Sequence, residues 1–373
     1  MGVIVATLRE TAPNERRVAL TPEIAKKLKA LGATVQIERN AGESAAFPDA
    51  HYKDAEAVDD VLASADVLLT VQPPAADAIG KLKEGAVLIG MLAPHASTER
   101  VKQLRDRKIT SFSMELLPRT TRAQAMDILS SQAGMAGYKA VLIAALASPK
   151  FFPMLTTAAG TVRPSKVLIV GAGVAGLQAI ATARRLGAQV EGFDVRPEVK
   201  EQIESLGAKF LDLGVSAAGT GGYARQLTPE EMAEQQRRLG EHVKNVDVIV
   251  TTAAIPGRKA PRIITTAMVE GMKPGSVIVD LAAETGGNCE LTVPGETVVR
   301  NGVSVVGPVN LPSQGAIHAS EMYARNLFNF LSLMLKDGAL NLDWSDDLIA
   351  QTCLTHAGEI RHEATRKAVD GQA

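Results

Sequence analysis

The chain has 373 residues, more than one hydrophobic core ordinarily serves, so two domains are expected. Hydrophobic residues make up 46% and charged residues 22%, the balance of a folded globular protein, with aromatics held to 3%. A formal net charge of -1 without a basic stripe sets a nucleic-acid role aside, and the two cysteines, Cys289 and Cys353, have neither the number for a disulfide framework nor metal-ligand spacing.

Residues 3–6, Val-Ile-Val-Ala, read as a first strand. Thr21-Pro22-Glu23 then opens a helix, with Thr21 as N-cap and Pro22 at the first helical position, where a missing N–H costs nothing. Ile24, Leu28 and Leu31 give that helix an apolar stripe and Gly32 closes it. Further buried strands are expected at 67–71, 87–91 and 109–112. A long helical pattern over 123–147 leads to a second unit that repeats the scheme, with strands at 166–170, 189–194, 210–213, 246–251, 277–281 and 303–306. A last helix, 319–335, is expected to pack back on the first unit. No secretory pattern opens the chain, and the longest apolar stretches, 141–147 and 167–183, are too short or too broken by glycine to span a bilayer, so a soluble protein is expected. Strands alternating with helices predict an α/β fold: two units, each a parallel sheet flanked by helices, with a cleft between them. The expected domains are 1–130 with 318–373, and 131–317.

Gly171-Ala172-Gly173-Val174-Ala175-Gly176 fits G-x-G-x-x-G, with a five-residue apolar strand entering it and a helix leaving it. In that context the first glycine permits a tight turn, the second lets a pyrophosphate approach the backbone, and the third lets helix and strand touch. The next strand ends at Asp194, which can accept both ribose hydroxyls of an adenosine and would repel a 2′-phosphate. NAD(H) is therefore favoured over NADP(H), although Arg196 nearby is a residue type that can serve a phosphate. The competing reading is a structural glycine turn with a helix-capping Asp.

Pro13-Asn14-Glu15-Arg16-Arg17-Val18-Ala19-Leu20-Thr21-Pro22 resembles the opening of both alanine dehydrogenases and transhydrogenase alpha subunits, which share two domains with a Rossmann second domain. Alanine dehydrogenases carry a Lys after the strand matching 67–71 and a His after the one matching 87–91. This chain has Gln72 and Leu92 there, and neither can supply charge or a proton to an oxo acid. His95 is out of register and reads as a solvated loop residue. Pro118-Arg119-Thr120-Thr121-Arg122-Ala123-Gln124-Ala125-Met126-Asp127-Ile128-Leu129-Ser130-Ser131-Gln132 is similar to the loop that transhydrogenases place beside the nicotinamide. The resemblance implies that Arg119, Asp127 and Ser130 hold the nicotinamide and its ribose, and that Gln124 reaches toward NADP(H) on a partner subunit. Read without it, Asp127 would pair with Arg119 or Arg122 at the start of a polar helix.

By the same resemblance, cofactor contacts fall on Gln132, Gly171, Gly173, Val174, Gly176, Asp194, Val195, Arg196, Gly222, Ala254 and Ile255. Residues 219–224 look like a mobile lid, with a plain surface loop as the alternative. The segment 251–258 follows a buried strand at its carboxyl end, where open α/β sheets bind ligands, and 280–288 is a second strand end, with Glu284 where alanine dehydrogenases tend to have Asp. The implied activity is hydride transfer between NADH and NADP⁺, coupled to proton translocation. Such a transfer asks for positioning, which alone can lower a barrier by about 7–11 kcal/mol. One dinucleotide fingerprint for two nucleotides implies partner subunits that carry NADP(H) and span the membrane. The expected chain is then a homodimer, cytoplasmic and peripheral on the inner membrane through those partners. The rival readings are an amino-acid dehydrogenase and a non-catalytic NAD-binding module.

Overall fold

Runs of Val, Leu and Ile become strands that are covered on both faces: Val67–Thr70, Val87–Gly90, Val248–Thr251 and Val277–Asp280 are buried at every position. The computed structural model describes residues 2–217, 225, 227–254 and 257–371. The chain divides into two compact units, Met1–Gln132 with Ser313–Ala373, and Ala133–Pro312.

Among the described residues, the main sheet of the first unit has eight strands, in the spatial order Glu359–Ile360, Cys353–His356, Thr110–Ser113, Val87–Gly90, Val67–Thr70, Ile4–Thr7, Thr34–Glu38, Glu56–Val58. Its six inner and far strands run parallel, and the chain order reverses between Ile4–Thr7 and Val67–Thr70, as in doubly wound folds. Cys353–His356 joins the other edge antiparallel, an addition with no signal in the apolar runs. The helix Ala316–Leu331 buries Tyr323, Leu327 and Phe330 in one core with Val5, Val67, Val87 and Phe112. The Tyr323 hydroxyl donates to the Thr70 carbonyl at 2.9 Å and accepts the Met91 N–H at 3.0 Å, linking the ends of two central strands.

The sheet of the second unit, seven strands among the described residues, has the order Lys209–Phe210, Gln189–Phe193, Lys166–Val170, Val248–Thr251, Val277–Asp280, Val303–Val306, Thr297–Arg300. All pairs are parallel except the last. Both units are thus Rossmann-like α/β sheets. In the second, the order reverses between Lys166–Val170 and Val248–Thr251, which puts a ligand crevice outside the carboxyl ends of those two strands. Among the described residues, no helix is long and apolar enough to cross a membrane.

The structure departs from the sequence pattern at several places. The helix expected over 123–147 is two elements, a 3-10 turn Thr121–Met126 and an α-helix Ile128–Ala147, because Asp127 caps the second and ends the first. The strand expected at 210–213 is only Lys209–Phe210, an edge strand that leaves the sheet once the Leu211 N–H has reached Gly192. Thr34–Glu38 is a strand that the apolar runs do not announce, although its alternating burial is that of a half-covered strand. Thr21 holds the expected N-cap position, but its hydroxyl makes no capping bond.

Candidate functional site

The glycine turn sits at the reversal point of the second sheet. Gly171 has φ +96°, a left-handed conformation open to glycine and strained for other residues. A Cβ on Gly176 would lie 1.8 Å from the Gly171 carbonyl oxygen, so strand and helix touch there through glycine alone. A Cβ on Gly173 would meet nothing within 4 Å: this face of the turn opens outward. The helix Val174–Arg185 starts immediately after, with Val174 exposed on its first turn. Two close-contact glycines framing an open one are what a pyrophosphate at a helix N-terminus requires. The residues present fit a dinucleotide.

Asp194 follows the neighbouring strand and is buried. Its Oδ2 accepts the Ala172 N–H at 2.7 Å, so the fingerprint backbone itself aims the carboxylate. Its Oδ1 accepts the Arg196 N–H at 2.9 Å. The Arg196 guanidinium folds back on both oxygens, with Nε 2.9 Å from Oδ1 and Nη2 2.7 Å from Oδ2. Val195 is half-buried against the core that contains Val170 and Phe193, and its carbonyl accepts the Ala217 N–H at 2.7 Å.

Across the reversal point, the Thr252 hydroxyl donates to the Gly171 carbonyl at 2.9 Å and ties the two strand ends together. Ala254 is exposed at the end of this loop. Asn288, fully buried, braces it: Oδ1 accepts the Ala253 N–H, and Nδ2 donates to the Ala253 and Pro261 carbonyls at 2.8 and 2.9 Å. Asp280, also fully buried, accepts from the Thr251 and Thr292 hydroxyls and from the Ala282 and Cys289 N–H groups. Glu284 accepts the Asn310 N–H at 3.0 Å. Gly222, the rest of the stretch 219–224 and Ile255 lie outside the described residues.

In the first unit, the segment carrying Arg119, Gln124, Asp127 and Ser130 is held from below. Ala123 and Met126 are buried in the core, and the Ala125 carbonyl accepts from Asn326 and Asn329, both at 2.9 Å. Arg122 pairs with Asp346 and Asp347 rather than with Asp127. Arg119 and Gln124 are exposed above this base. Asp127 takes the N-cap position: Oδ1 accepts the Ser130 N–H at 2.9 Å and Oδ2 the Ser130 hydroxyl at 2.6 Å. Gln132 is buried, its Oε1 accepting Arg17 Nη1 at 2.8 Å and its Nε2 donating to Ser131 and the Ala319 carbonyl, so its amide is committed inside the fold. Arg17 in turn meets Glu15 through Nε at 2.8 Å and Nη2 at 2.7 Å.

The alanine dehydrogenase/PNT N-terminal domain matches residues 6–136, and the alanine dehydrogenase/PNT C-terminal domain matches 140–363. The chain belongs to the alanine dehydrogenase/PNT family. Its likeness is greater on the transhydrogenase side. An NAD(P) transhydrogenase subunit alpha protein of Rhodospirillum rubrum is 46% identical over 96% of this chain and 98% of its own length. The crystal structure of transhydrogenase from Sinorhizobium meliloti superposes with a TM-score of 0.88 at 46% identity, covering 96% of this chain and 99% of the other. Alanine dehydrogenase from Mycobacterium tuberculosis is 31% identical over 76% of this chain and 74% of its own length.

The two positions where an alanine dehydrogenase was expected to carry Lys and His hold structural side chains here. Gln72 donates through Nε2 to Glu15 at 2.7 Å, and Leu92 is buried in the core. Neither offers a charge or a proton to a substrate. Sequence reasoning singled out the segments 251–258 and 280–288 but gave no role to Thr252 or Asn288, whose roles depend on which loops meet across the reversal point. It also missed Gly137, where a Cβ would lie 2.0 Å from the Ala175 carbonyl oxygen, so that the long helix can lie directly on the helix following the fingerprint. No local pattern marks these three.

Proposed function

We propose that the chain binds NAD(H) in its second unit and serves as the NAD(H)-binding subunit of a proton-translocating transhydrogenase, moving hydride between NADH and NADP⁺ carried by a partner subunit. The observation that carries the reading is the pairing of the open Gly173 turn with an Asp194 carboxylate aimed by the Ala172 N–H. The naming of relatives 46% identical as transhydrogenase alpha subunits supports it. Gly171, Gly173, Val174 and Gly176 form the pyrophosphate cradle, and Asp194, Val195 and Arg196 border the adenosine ribose. Arg119, Asp127 and Ser130 hold the nicotinamide and its ribose, and Gln124 faces the second nucleotide. Ala254, with Ile255 and Gly222, completes the contacts, while Gln132 acts indirectly by fixing Arg17 and Ser131.

NAD(H), when bound, supplies or takes up the hydride. What this chain's residues do is orient and exclude water, and orientation is a large effect in such a transfer. Membrane-spanning partners carry the proton path and hold this chain at the inner membrane on the cytoplasmic side. A second copy of the chain covers the hairpin Leu155–Thr157 and Gly160–Val162, whose side chains, with Phe151 and Met154, stand exposed.

The test mixes the purified chain with an NADP(H)-binding transhydrogenase subunit and follows reduction of a nicotinamide analogue. Gln124→Ala and Asp127→Asn should slow transfer by more than tenfold while changing NADH affinity far less. Transfer at the unaltered rate in both variants would refute the loop assignment. Ammonia-dependent reduction of pyruvate by the chain alone would favour the dehydrogenase reading instead.

A further inference from the structure

A carboxylate offers about four lone-pair sites, two on each oxygen. At Asp194 four donors occupy them: the backbone N–H groups of Ala172 and Arg196, one on each oxygen, and the Nε and Nη2 of Arg196, again one on each. The backbone pair is fixed by the chain path, one N–H in the glycine turn and the other in the turn that follows Asp194. The guanidinium pair sits on a side chain and can leave. A ribose diol presents two O–H donors side by side and needs one site on each oxygen. Those are the sites that the Arg196 fork holds.

We infer that Arg196 is a built-in competitor for the adenosine ribose, closing Asp194 with its guanidinium until a vicinal diol displaces it. The inference rests on the nucleotide reading of the second unit and adds a positioning residue to it. The arrangement solves a physical difficulty. Asp194 is only 7% exposed by its side chain, and a carboxylate so shielded is costly without a partner. The fork keeps it paired, aimed and satisfied between ligands. Binding then exchanges one set of hydrogen bonds for another, which lowers affinity and favours release of the used nucleotide. If the fork closes Asp194 about nine-tenths of the time, the apparent affinity for a diol falls about tenfold.

Arg196→Gln and Arg196→Lys, compared with the unaltered chain, test this by calorimetric titration with NADH, AMP and 2′,3′-dideoxy-AMP. Gln carries no charge and Lys cannot fill both oxygens at once. The two monophosphates share base and phosphate, so the ratio of their dissociation constants isolates the diol from any general change in charge. The preference for AMP over the dideoxy compound should rise about three- to tenfold in Arg196→Gln and by less in Arg196→Lys. An unchanged or reduced preference would overturn the inference, and so would an equal shift for both monophosphates. If Arg196→Gln does not fold, Arg196→Lys, which keeps a cation beside Asp194, decides the question by the same ratio. An unaltered chain that binds neither NADH nor AMP would refute the nucleotide site itself, and the competitor with it.

Discussion

Asn288 holds Ala253 from both sides of one residue, its Oδ1 accepting the Ala253 N–H at 3.1 Å and its Nδ2 donating to the Ala253 carbonyl at 2.8 Å. The loop after Val248–Thr251 is thereby fixed beside the glycine turn, and the same amide reaches the Pro261 carbonyl. Asn288→Ala leaves these part-buried backbone groups without their partner. It should cost about 2–3 kcal/mol in urea unfolding and weaken NADH binding. Asn288→Asp should be worse, because it turns an acceptor toward two carbonyl oxygens. A variant as stable as the unaltered chain would mean that the loop holds its shape without this brace.

The three glycines of the fingerprint should separate stability from binding. Gly173 has φ -76°, compatible with any side chain, and a Cβ there points into open space. Gly173→Ala should fold as well as the unaltered chain or slightly better, since alanine restricts the unfolded state, and should lose NADH affinity by at least about tenfold. Gly176→Ala forces a Cβ against the Gly171 carbonyl and should cost about 3 kcal/mol before any ligand is added. Thermal unfolding and NADH titration of the two variants check this. Equal loss of stability in both would mean that Gly173 does not face an open cradle.

Much of this architecture is written in local pattern. Residues 166–176 encode a strand, a turn and a helix start within eleven positions, so periodicity and glycine spacing suffice. The strand run and the position of Asp194 are legible for the same reason. What local pattern does not carry are relationships across sequence distance. By residue type Asp127 suits an ion pair, but its helix-capping bond to Ser130 wins because it is local and well aligned, while Arg122 finds two carboxylates more than 220 positions away. Gln132 suits a cofactor contact, yet Arg17 and the Ala319 carbonyl already engage its amide. The antiparallel strand Cys353–His356 carries polar residues that bond across the sheet, Thr355 to Ser111 at 2.6 Å and His356 to Thr110 at 3.0 Å, and no apolar run announces it.

The hairpin at 155–162 offers a test of the proposed second copy. Its two strands pair with each other, and Met154, Leu155 and Val162 are exposed together with Phe151. A short hairpin with open edges and apolar side chains is poorly stable in water unless something covers it. Leu155→Glu with Val162→Glu should convert a dimer to a monomer in sedimentation velocity at micromolar concentration, with NADH binding retained. A dimer that persists in the double variant would place the interface elsewhere.

Glu10 gives the folded chain a pH dependence of its own. Its carboxylate accepts the Val71 N–H at 2.5 Å and the Gln72 N–H at 3.3 Å. Burial pushes it from the ordinary 4.5 up to about 7, with Glu15 adding repulsion and the two backbone donors and Arg17 opposing. Between about pH 4.5 and 7 the folded chain therefore holds a proton that the unfolded chain has lost, so stability falls as pH rises through that window and stays lowered above it. The full effect is on the order of 3 kcal/mol. Glu15 acts in a different window: burial alone would raise it, but the Arg17 ion pair brings it down to about 2, so its contribution is present above about pH 4.5 and is lost only as the pH falls toward 2. Glu10→Gln should match the unaltered chain near pH 5, exceed it at pH 8, and flatten the decline between. Urea unfolding at pH 5, 6, 7 and 8 reads this directly, and parallel curves for the two proteins across that range would mean that Glu10 ionises alike in the folded and unfolded chains.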